Sequence, residues 1–195
     1  MKEQKKKLER PSIELLEEEI QRNNYKRRFR AVFKTTIYAL ITVAAVAVLV
    51  ATLWLPVMQT YGSSMMPTLD DGEIIFSVKT QKPVKGDIVA FYYNNKVLVK
   101  RVIADSGDIV NIDSDGNVFV NEELLDETYL SEKAMGEVDI ELPYQVPDGR
   151  YFVMGDNRAT SADSRHTTVG CVSAEQIVGK IIFRVWPLER IGPIY

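Results

Sequence analysis

A long apolar run near the N-terminus constrains this chain more than any other feature. Residues 37–55 read IYALITVAAVAVLVATLWL, and no charged residue occurs from Thr35 to Leu69. As an α-helix these 19 residues would extend about 28 Å at about 1.5 Å per residue, which matches the roughly 30 Å hydrocarbon core of a bilayer. The run therefore predicts one transmembrane helix, within an anchor that we place at residues 35–58.

Charge is distributed unevenly on the two sides of this run. Residues 1–34 contain 11 Lys and Arg against 6 Asp and Glu, whereas residues 35–195 contain 13 against 21. By the positive-inside rule, the basic segment 1–34 is cytoplasmic, the anchor crosses the cytoplasmic membrane once, and residues 59–195 form an extracytoplasmic domain. A cleaved export signal is the competing interpretation, but the charged head and the apolar run are both long for one.

The hydrophobic pattern changes from helical to alternating beyond Pro56. Seven segments read as short strands between turn residues: 73–78, 87–93, 96–103, 110–112, 118–120, 151–154 and 181–186. The predicted fold is mainly β, with an N-terminal transmembrane helix followed by an antiparallel β-sheet or barrel-like domain. Pro11 and Ser12 would begin a short cytoplasmic helix ahead of the anchor, and residues 173–177 would form one helical turn.

Several classes of site are excluded by composition. The chain has one cysteine, Cys171, and one histidine, His166. An internal disulfide, a cysteine zinc cluster and a two-histidine metal motif are therefore impossible. We expect no metal and no cofactor, and we expect Cys171 to be a buried apolar residue. The acidic body carries no basic stripe, which argues against nucleic-acid binding.

A serine pair, Ser63 and Ser64, lies shortly after the apolar run. A serine hydroxyl becomes a nucleophile only when a base lies within hydrogen-bonding reach. The candidate bases are His166 and a lysine whose amine is neutral. Lys100 is placed for this role because it lies in an alternating strand, where burial would lower its pKa. Alternation puts Lys100 and Arg101 on opposite faces of this strand, so apolar surface must cover one of the two cations unless the strand lies at an open edge. The ordinary alternative is a surface lysine that extends its amine into solvent.

Four segments, in order, resemble the successive motifs of type I signal peptidases, the bacterial Ser/Lys-dyad peptidases. They are GSSMMPTL at 62–69, GDIV at 86–89, KRVI at 100–103 followed by GD at 107–108, and GDNRATSADSR at 155–165. The resemblance covers about residues 35–192, including an anchor just ahead of the serine motif. It implies the single-anchor form: a membrane-bound serine endopeptidase that removes N-terminal signal peptides from exported preproteins at the outer face of the cytoplasmic membrane.

The resemblance also implies roles for individual residues. Ser64 is the nucleophile, Lys100 is the general base, and Ser161 holds the Lys100 amine by a hydrogen bond. Structural support would come from charged residues of the last motif: Asp156, Arg158, Asp163 and Arg165. His166 would be the competing base, but the resemblance assigns that role to Lys100, so we expect a solvated loop histidine.

The expected oxyanion site departs from part of the family. The backbone N–H of Ser64 would donate to the oxyanion. Some members add a hydroxyl two residues before the nucleophile, where this chain has Gly62, so that side-chain donor is absent. Ser63 is one candidate to replace it. The loss of one such donor can cost roughly 3–4 kcal/mol where the donor matters.

The implied substrate has small residues at the first and third positions before the cut, as in Ala-x-Ala. An extended peptide would add to a sheet edge and place alternate side chains in pockets. The residues expected to form these pockets flank the dyad in sequence: Met65, Leu69, Leu98 and Val99. The expected partners are preprotein signal peptides and the lipid bilayer, with proximity to the protein export machinery.

The short connection between anchor and serine has a geometric consequence. Ser64 comes nine residues after Leu55, a distance of about 30 Å when fully extended, so the serine stays near the outer membrane surface.

Two other functions are compatible with parts of the pattern. One is a dedicated processing peptidase for a few surface proteins. The other is a non-enzymatic, membrane-anchored β-domain for binding or assembly.

Overall fold

The computed structural model describes residues 12–54, 56–79 and 82–195. Its contacts divide the chain into two units, one reaching to Ala51 and the other running from Thr52 to Tyr195. Most of the first unit is helix α1 (Ile13–Trp54). The short helix expected ahead of the anchor and the apolar run form this one continuous helix, since no glycine or proline interrupts it. Residues 1–11 lie outside the described residues. They include the Lys and Arg residues that precede Arg22 in the basic segment 1–34.

The apolar part of α1 has the length and composition needed to cross a membrane. Within Ile13–Val50 the mean hydropathy of an 18-residue window reaches 2.0. All described side chains from Ile13 to Val50 are exposed. A helix with this much uncovered apolar surface is stable in a bilayer, where its backbone groups are bonded internally. The anchor boundaries at residues 35 and 58 and the orientation stay predictions.

The described residues of the second unit form twelve strands. In chain order they are β1 (Val57–Gln59), β2 (Ile74–Val78), β3 (Ile88–Tyr93), β4 (Lys96–Ala104), β5 (Ile109–Ile112), β6 (Val118–Val120), β7 (Glu123–Leu124), β8 (Tyr144–Gln145), β9 (Arg150–Met154), β10 (Val172–Ser173), β11 (Ile177–Trp186) and β12 (Gly192–Pro193). All seven predicted strands are present, so the mainly antiparallel β fold is confirmed. The strands that we did not predict have two or three residues, too few for alternation to be recognised.

These strands form two antiparallel sheets. The larger has the order β1-β2-β11-β3-β4-β9-β10, with β12 paired to β11, and the smaller has the order β7-β6-β5-β8. Strand β11 therefore lies between β2 and β3, although it is nearly last in sequence. Two single 3-10 turns complete the unit, Ala174–Gln176 and Leu188–Arg190, and the first lies within the helical turn predicted at 173–177.

Strand β4 changes character along its length. Its first two residues, Lys96 and Val97, are exposed, whereas all residues from Lys100 onward are buried. On one side β4 pairs with β3 over its first six residues. On the other side β9 pairs only with Arg101 and later residues. Among the described residues, the segment 96–99 therefore keeps one open edge, next to the point where the strand becomes buried.

The two sheets share a hydrophobic core. One buried cluster contains residues of β4, β5, β6 and β9, with Phe152 among the largest fully buried side chains. Phe152 contributes an aromatic ring from the large sheet to a cluster that includes Val110 and Val118 of the small sheet. Its burial therefore links the small sheet to the strand pair β4–β9 that carries the buried end of β4.

Replacement of Phe152 with alanine should lower the free energy of unfolding by about 3–5 kcal/mol, because it removes buried apolar surface and leaves a cavity. Denaturant unfolding of the full chain in detergent, followed by tryptophan fluorescence, measures this loss. Leu124→Ala is the matched control, since Leu124 is 58% exposed, and it should change stability by less than about 1 kcal/mol. Equal losses in the two variants would contradict this account of the core.

Candidate active site

Ser64 lies in a tight turn between β1 and β2. The turn begins at Gly62, whose φ of +87° favours glycine. The Gly62 amide donates to Asp71 Oδ1 at 2.7 Å, which ties the start of the turn to its end. Met65 and Leu69 are buried and anchor the turn in the core, whereas Ser64 itself is half-buried. The serine is therefore held in place by its neighbours while its side chain stays accessible.

The Lys100 amine lies 2.7 Å from the Ser64 hydroxyl, measured from Nζ to Oγ. Lys100 is only 2% exposed. It lies where β4 becomes buried, paired with Val89 of β3. A hydroxyl and an amine at this separation share a hydrogen bond, and a proton can pass along it. The structure therefore brings together the two residues that the sequence singled out as nucleophile and base.

Burial lowers the pKa of Lys100 from 10.5 to about 8. The negative charges of Asp163 and Asp156 oppose this shift, and the positive charge of Arg165 adds to it. An amine with a pKa near 8 is neutral in about one molecule in ten at pH 7, compared with about one in 3,000 for an ordinary lysine. The site thus supplies a substantial fraction of the unprotonated amine that a general base requires.

Arg101, the neighbour of Lys100, is also buried. Alternation along β4 required that one of these two cations be covered, and the structure covers both, with Arg101 3% exposed. Its guanidinium donates two hydrogen bonds to Asp156, at 2.9 and 2.7 Å, and one to Gly86 O at 2.9 Å. It also lies 3.9 Å from the centre of the Tyr129 ring. These partners replace the water that burial removes.

A second buried ion pair joins Asp163 and Arg165 at 2.8 Å, with both side chains fully buried. Asp163 also accepts a hydrogen bond from the Gly155 amide at 3.0 Å. Burial alone would raise the pKa of the Asp163 carboxyl, but the hydrogen bonds and charge of Arg165 outweigh it, so the net shift is downward. Asp163 is therefore a stable anion close enough to Lys100 to influence its pKa.

Arg158 forms a third buried pair, with Glu127 at 2.5 Å. The four charged residues expected to support the site are thus all buried and paired, and three of them, Asp156, Asp163 and Arg165, influence the pKa of Lys100. Three partners escaped the sequence analysis: Glu127, Tyr129 and Thr68, whose hydroxyl donates to Asp156 at 2.5 Å. Glu127 and Tyr129 lie in the segment 122–150, where no periodic pattern or motif marks a residue as buried.

Ser161 does not make the expected hydrogen bond to Lys100. It is buried, and its hydroxyl makes no well-formed hydrogen bond to any described residue, although it lies near enough to Asp163 to help lower the pKa of that carboxyl. The Ser161 hydroxyl and the Ser64 carbonyl oxygen both approach Gly155 so closely that a side chain there would collide with each of them. The Lys100 amine instead lies within hydrogen-bonding distance of Ser64. Ser161 therefore packs close to the backbone of Ser64 without holding the Lys100 amine in this structure.

Several backbone amides near Ser64 donate no hydrogen bond to the described residues, those of Ser63, Ser64 and Met65 among them. The Gly62 amide is occupied by Asp71. Ser63 is exposed, and its carbonyl accepts from Met66 at 3.1 Å. The second donor therefore stays unassigned, and Ser63 remains the nearest candidate along the chain.

A cavity of about 90 Å³ opens beside the dyad. Its walls are residues 59–62 and 97–99, and both Ser64 and Lys100 reach it. All four residues predicted to form pockets line it: Met65, Leu69, Leu98 and Val99. The cavity is thus small and partly apolar, and it is bounded on one side by the open edge of β4.

The remaining candidate residues lie elsewhere. His166 is half-buried in a loop, where its backbone amide donates to Asp163 O at 3.0 Å, and it does not line the cavity. Cys171 is buried, as expected, and burial raises the pKa of its thiol. Within the described residues, no group of three or more His, Cys, Asp or Glu side chains could hold a metal ion.

A serine hydroxyl that is hydrogen-bonded to a buried amine beside a cavity is suited to nucleophilic attack on a carbonyl, as in serine hydrolases. Comparison with known proteins agrees with this class. The profile of the family described as "Signal peptidase, peptidase S26" matches residues 33–186. This chain therefore belongs to the signal peptidase family S26 and is a serine peptidase, which confirms the resemblance that the sequence motifs indicated.

Individual relatives are similar over about two thirds of this chain. Signal peptidase I of Streptococcus pneumoniae serotype 4 is 35% identical over 170 residues, which cover 67% of this chain and 82% of the relative. Thylakoidal processing peptidase 1 of Arabidopsis thaliana is 36% identical over 147 residues, covering 67% of this chain but only 42% of that protein. A crystal structure of a signal peptidase I from Enterococcus faecalis V583 is 30% identical, with a TM-score of 0.44, and the match covers 51% of this chain and 96% of that one.

Replacement of Asp163 with asparagine should destabilise the protein by about 3–5 kcal/mol, since it leaves the buried Arg165 cation unpaired. Because the pKa of Asp163 is lowered on folding, its contribution is present above the unfolded pKa, near 3.9, and is lost as the pH falls further. The difference in free energy of unfolding between wild type and Asp163→Asn, measured by denaturant unfolding, should therefore become smaller below about pH 4.

The control for this comparison is Asp126→Asn, because Asp126 is exposed. It should change stability by less than about 0.5 kcal/mol at neutral pH. A variant at Asp163 that unfolds like the control would show that the Asp163–Arg165 pair does not support the fold.

Proposed function

We propose that this protein is a membrane-bound serine endopeptidase that removes N-terminal signal peptides from exported preproteins at the outer face of the cytoplasmic membrane. In this proposal Ser64 is the nucleophile and Lys100 is the general base. The observation that carries it is the 2.7 Å separation of Ser64 Oγ from the buried Lys100 Nζ, in a chain that belongs to the signal peptidase family. The other residues act by binding the substrate or by positioning this pair.

Acylation begins when the neutral Lys100 amine accepts the Ser64 hydroxyl proton. Ser64 Oγ attacks the carbonyl carbon of the scissile peptide bond, and the carbonyl oxygen becomes an oxyanion that accepts a hydrogen bond from the Ser64 amide. The Lys100 ammonium then gives its proton to the nitrogen of the leaving amine. The C–N bond breaks, the mature chain departs with a free amino terminus, and the signal peptide stays on Ser64 as an ester.

Deacylation uses the same base on a water molecule. Lys100, neutral again after the first step, removes a proton from water, and the resulting hydroxide attacks the ester carbonyl. Ser64 Oγ leaves and takes back a proton from Lys100. The signal peptide departs with a new carboxylic acid, which releases its proton to solvent and becomes a carboxylate, and the dyad returns to its starting protonation state. One lysine of moderate basicity thus serves both half-reactions.

The buried charges around the dyad would position Lys100 and set its pKa. Asp156 and Asp163 keep that pKa from falling further, because their negative charges favour the ammonium form. Ser161 brings a buried hydroxyl that makes no well-formed hydrogen bond to the described residues. That hydroxyl is available to the Lys100 amine at steps in which Ser64 Oγ is bonded to the substrate.

The open edge of β4 and the segment 59–62 would bind the substrate on either side. An extended peptide placed between them adds to the sheet, and its alternate side chains point to the same face. Small side chains at the first and third positions before the cut, as in Ala-x-Ala, suit a cavity of about 90 Å³. Met65, Leu69, Leu98 and Val99 supply its apolar lining.

The apolar part of α1 would anchor this domain to the bilayer. In the proposed topology residues 1–34 are cytoplasmic, residues 35–58 cross the membrane, and residues 59–195 are extracytoplasmic. A secretory signal peptide carries its cleavage site just beyond its own apolar segment. The short connection to Ser64 would hold the enzyme at that same depth, near the export machinery that delivers the preprotein.

Ser64→Ala and Lys100→Met should each reduce cleavage of a reporter preprotein by about 1,000-fold or more, because each removes one half of the dyad. The readout is kcat/KM of the full chain in detergent or vesicles. Lys100→Met should not lower the free energy of unfolding, since it replaces a desolvated amine with an apolar side chain of similar length.

His166→Ala is the matched control and should keep kcat/KM within a few-fold of wild type, because His166 does not line the cavity. Near-normal turnover of Lys100→Met would refute the dyad. Complete loss of activity in His166→Ala, with the fold retained, would favour a histidine mechanism instead.

The acid limb of the pH–rate profile should report the Lys100 amine. Because only the neutral form can accept the Ser64 proton, kcat/KM should rise about tenfold per pH unit below the pKa and level off above about 8. Steady-state cleavage of the reporter between pH 6 and 10 measures this. A flat profile across pH 6–9 would contradict a lysine base with the lowered pKa.

A further inference from the structure

A second cavity, of about 250 Å³, lies next to the Ser64 turn. Met66 and Pro67 form its wall on the side of the turn. The opposite walls come from the segment 131–134 and from residues 157–159. The turn therefore contributes to both cavities in succession: Ser64 and Met65 line the first, and the next two residues line the second.

The wall of this second cavity is bonded directly to the nucleophile residue. The Asn157 amide donates to the Ser64 carbonyl oxygen at 3.0 Å, and Asn157 lines the cavity. Met66 lies only two residues after Ser64, at most about 7 Å away along the chain. A substrate residue advances about 3.3 Å when extended. The first or second residue beyond the scissile bond can therefore reach this cavity.

Buried cations hold the outer wall in place. The segment that contains Ser131, Glu132 and Ala134 is fixed on its N-terminal side by the Glu127–Arg158 pair and by the Tyr129 ring against Arg101. On its C-terminal side the Met135 carbonyl accepts from Arg165 Nη1 at 2.6 Å. Ion pairs and hydrogen bonds to arginines near Ser64 and Lys100 therefore hold this wall in place, and the wall is part of the same site.

A close approach at Gly136 supports the same conclusion. Its φ is +66°, and a side chain there would collide with the Arg158 carbonyl and the Arg165 guanidinium. Glycine therefore allows the segment to pack directly on the two arginines. The packing fixes the shape of the cavity wall in the described structure.

The charge of this cavity comes from Glu132. Arg158 also lines the cavity, but its charge is compensated by Glu127. Lys133, the neighbour of Glu132, donates to Asn117 Oδ1 at 2.8 Å and does not line the cavity. Glu132 is exposed, and within the described part of the chain it forms no ion pair. The wall thus carries one uncompensated negative charge.

We propose that this cavity binds the side chain of the first or second residue of the mature chain, and that Glu132 makes it favour a basic residue over an acidic one there. The proposal deepens the proposed function and rests on it, since it assumes that a peptide crosses Ser64. It assigns to the segment 127–139 a role in selecting residues on the mature side of the cut, whereas the small cavity selects residues on the signal-peptide side.

The test compares full-length protein on reporter preproteins that carry Lys, Ala or Asp at each of the two positions after the cut. At low ionic strength, wild type should cleave the Lys reporter about fivefold faster than the Asp reporter in kcat/KM at one of these positions, as expected for a single exposed ion pair. Glu132→Lys should reverse this order. Glu141→Lys, at an exposed acid of the same connection that lies outside the cavity, should preserve it.

A second variant tests the cavity by size. Ala159→Trp introduces a large side chain at an exposed position of the wall. It should lower kcat/KM at least about threefold for reporters with a bulky residue after the cut, relative to reporters with glycine there.

The proposal would be overturned by two results together. The ratio of kcat/KM for the Lys reporter to that for the Asp reporter would be the same in wild type and Glu132→Lys, and Ala159→Trp would keep the size preference of wild type. These results leave the proposed function intact as long as Ser64→Ala is inactive on every reporter. If wild type cleaves none of the reporters while it remains folded, the proposed function itself fails.

Discussion

Two adjacent basic residues, Lys100 and Arg101, are buried at the end of one strand. The rest of the site depends on how the cost of burying each positive charge is compensated. A buried cation is costly unless it is paired or gives up its proton. Arg101 is paired: its guanidinium contacts Asp156, Gly86 O and the Tyr129 ring. Among the described residues, the hydrogen-bonding partner of Lys100 is the Ser64 hydroxyl, which carries no charge, and burial lowers the pKa of the amine. Burial therefore has different consequences for two adjacent residues: Arg101 becomes part of an ion pair, and Lys100 becomes an amine with a lowered pKa.

The surrounding ion pairs are best understood as a balanced set. Three buried arginines, at 101, 158 and 165, are matched by three buried acids, Asp156, Glu127 and Asp163. Removal of a single acid would leave a net positive charge beside Lys100 and an unpaired guanidinium in the core. The long segment between β7 and β8 supplies one of the three acids, so it contributes to the electrostatics of the dyad as well as to the cavity wall.

Much of this arrangement could be predicted from the sequence. The apolar run, the strand alternation and the four motifs predicted the fold class and the position of every longer strand. They also singled out Ser64 and Lys100, which the structure places in contact and whose catalytic roles stay a proposal. Glu127 and Tyr129 could not be found, because pairing over 31 residues with Arg158 leaves no local pattern. Alternation along β4 also gave only one covered cation, since it cannot detect that β9 covers the second face. Ser161 was assigned a hydrogen bond that depends on side-chain orientation, which a motif does not specify.

The position of β11 has a consequence for how the site is assembled. The turn that carries Ser64 is attached to β2, and Lys100 is carried by the hairpin β3–β4. In the described sheet these two parts meet through β11, which pairs with β2 on one side and β3 on the other. Residues 177–186 are synthesised long after the strands that carry both residues. The sheet that joins the Ser64 turn to the hairpin carrying Lys100 is therefore complete only after β11, a strand that follows both residues in sequence by more than 70 positions, has been made.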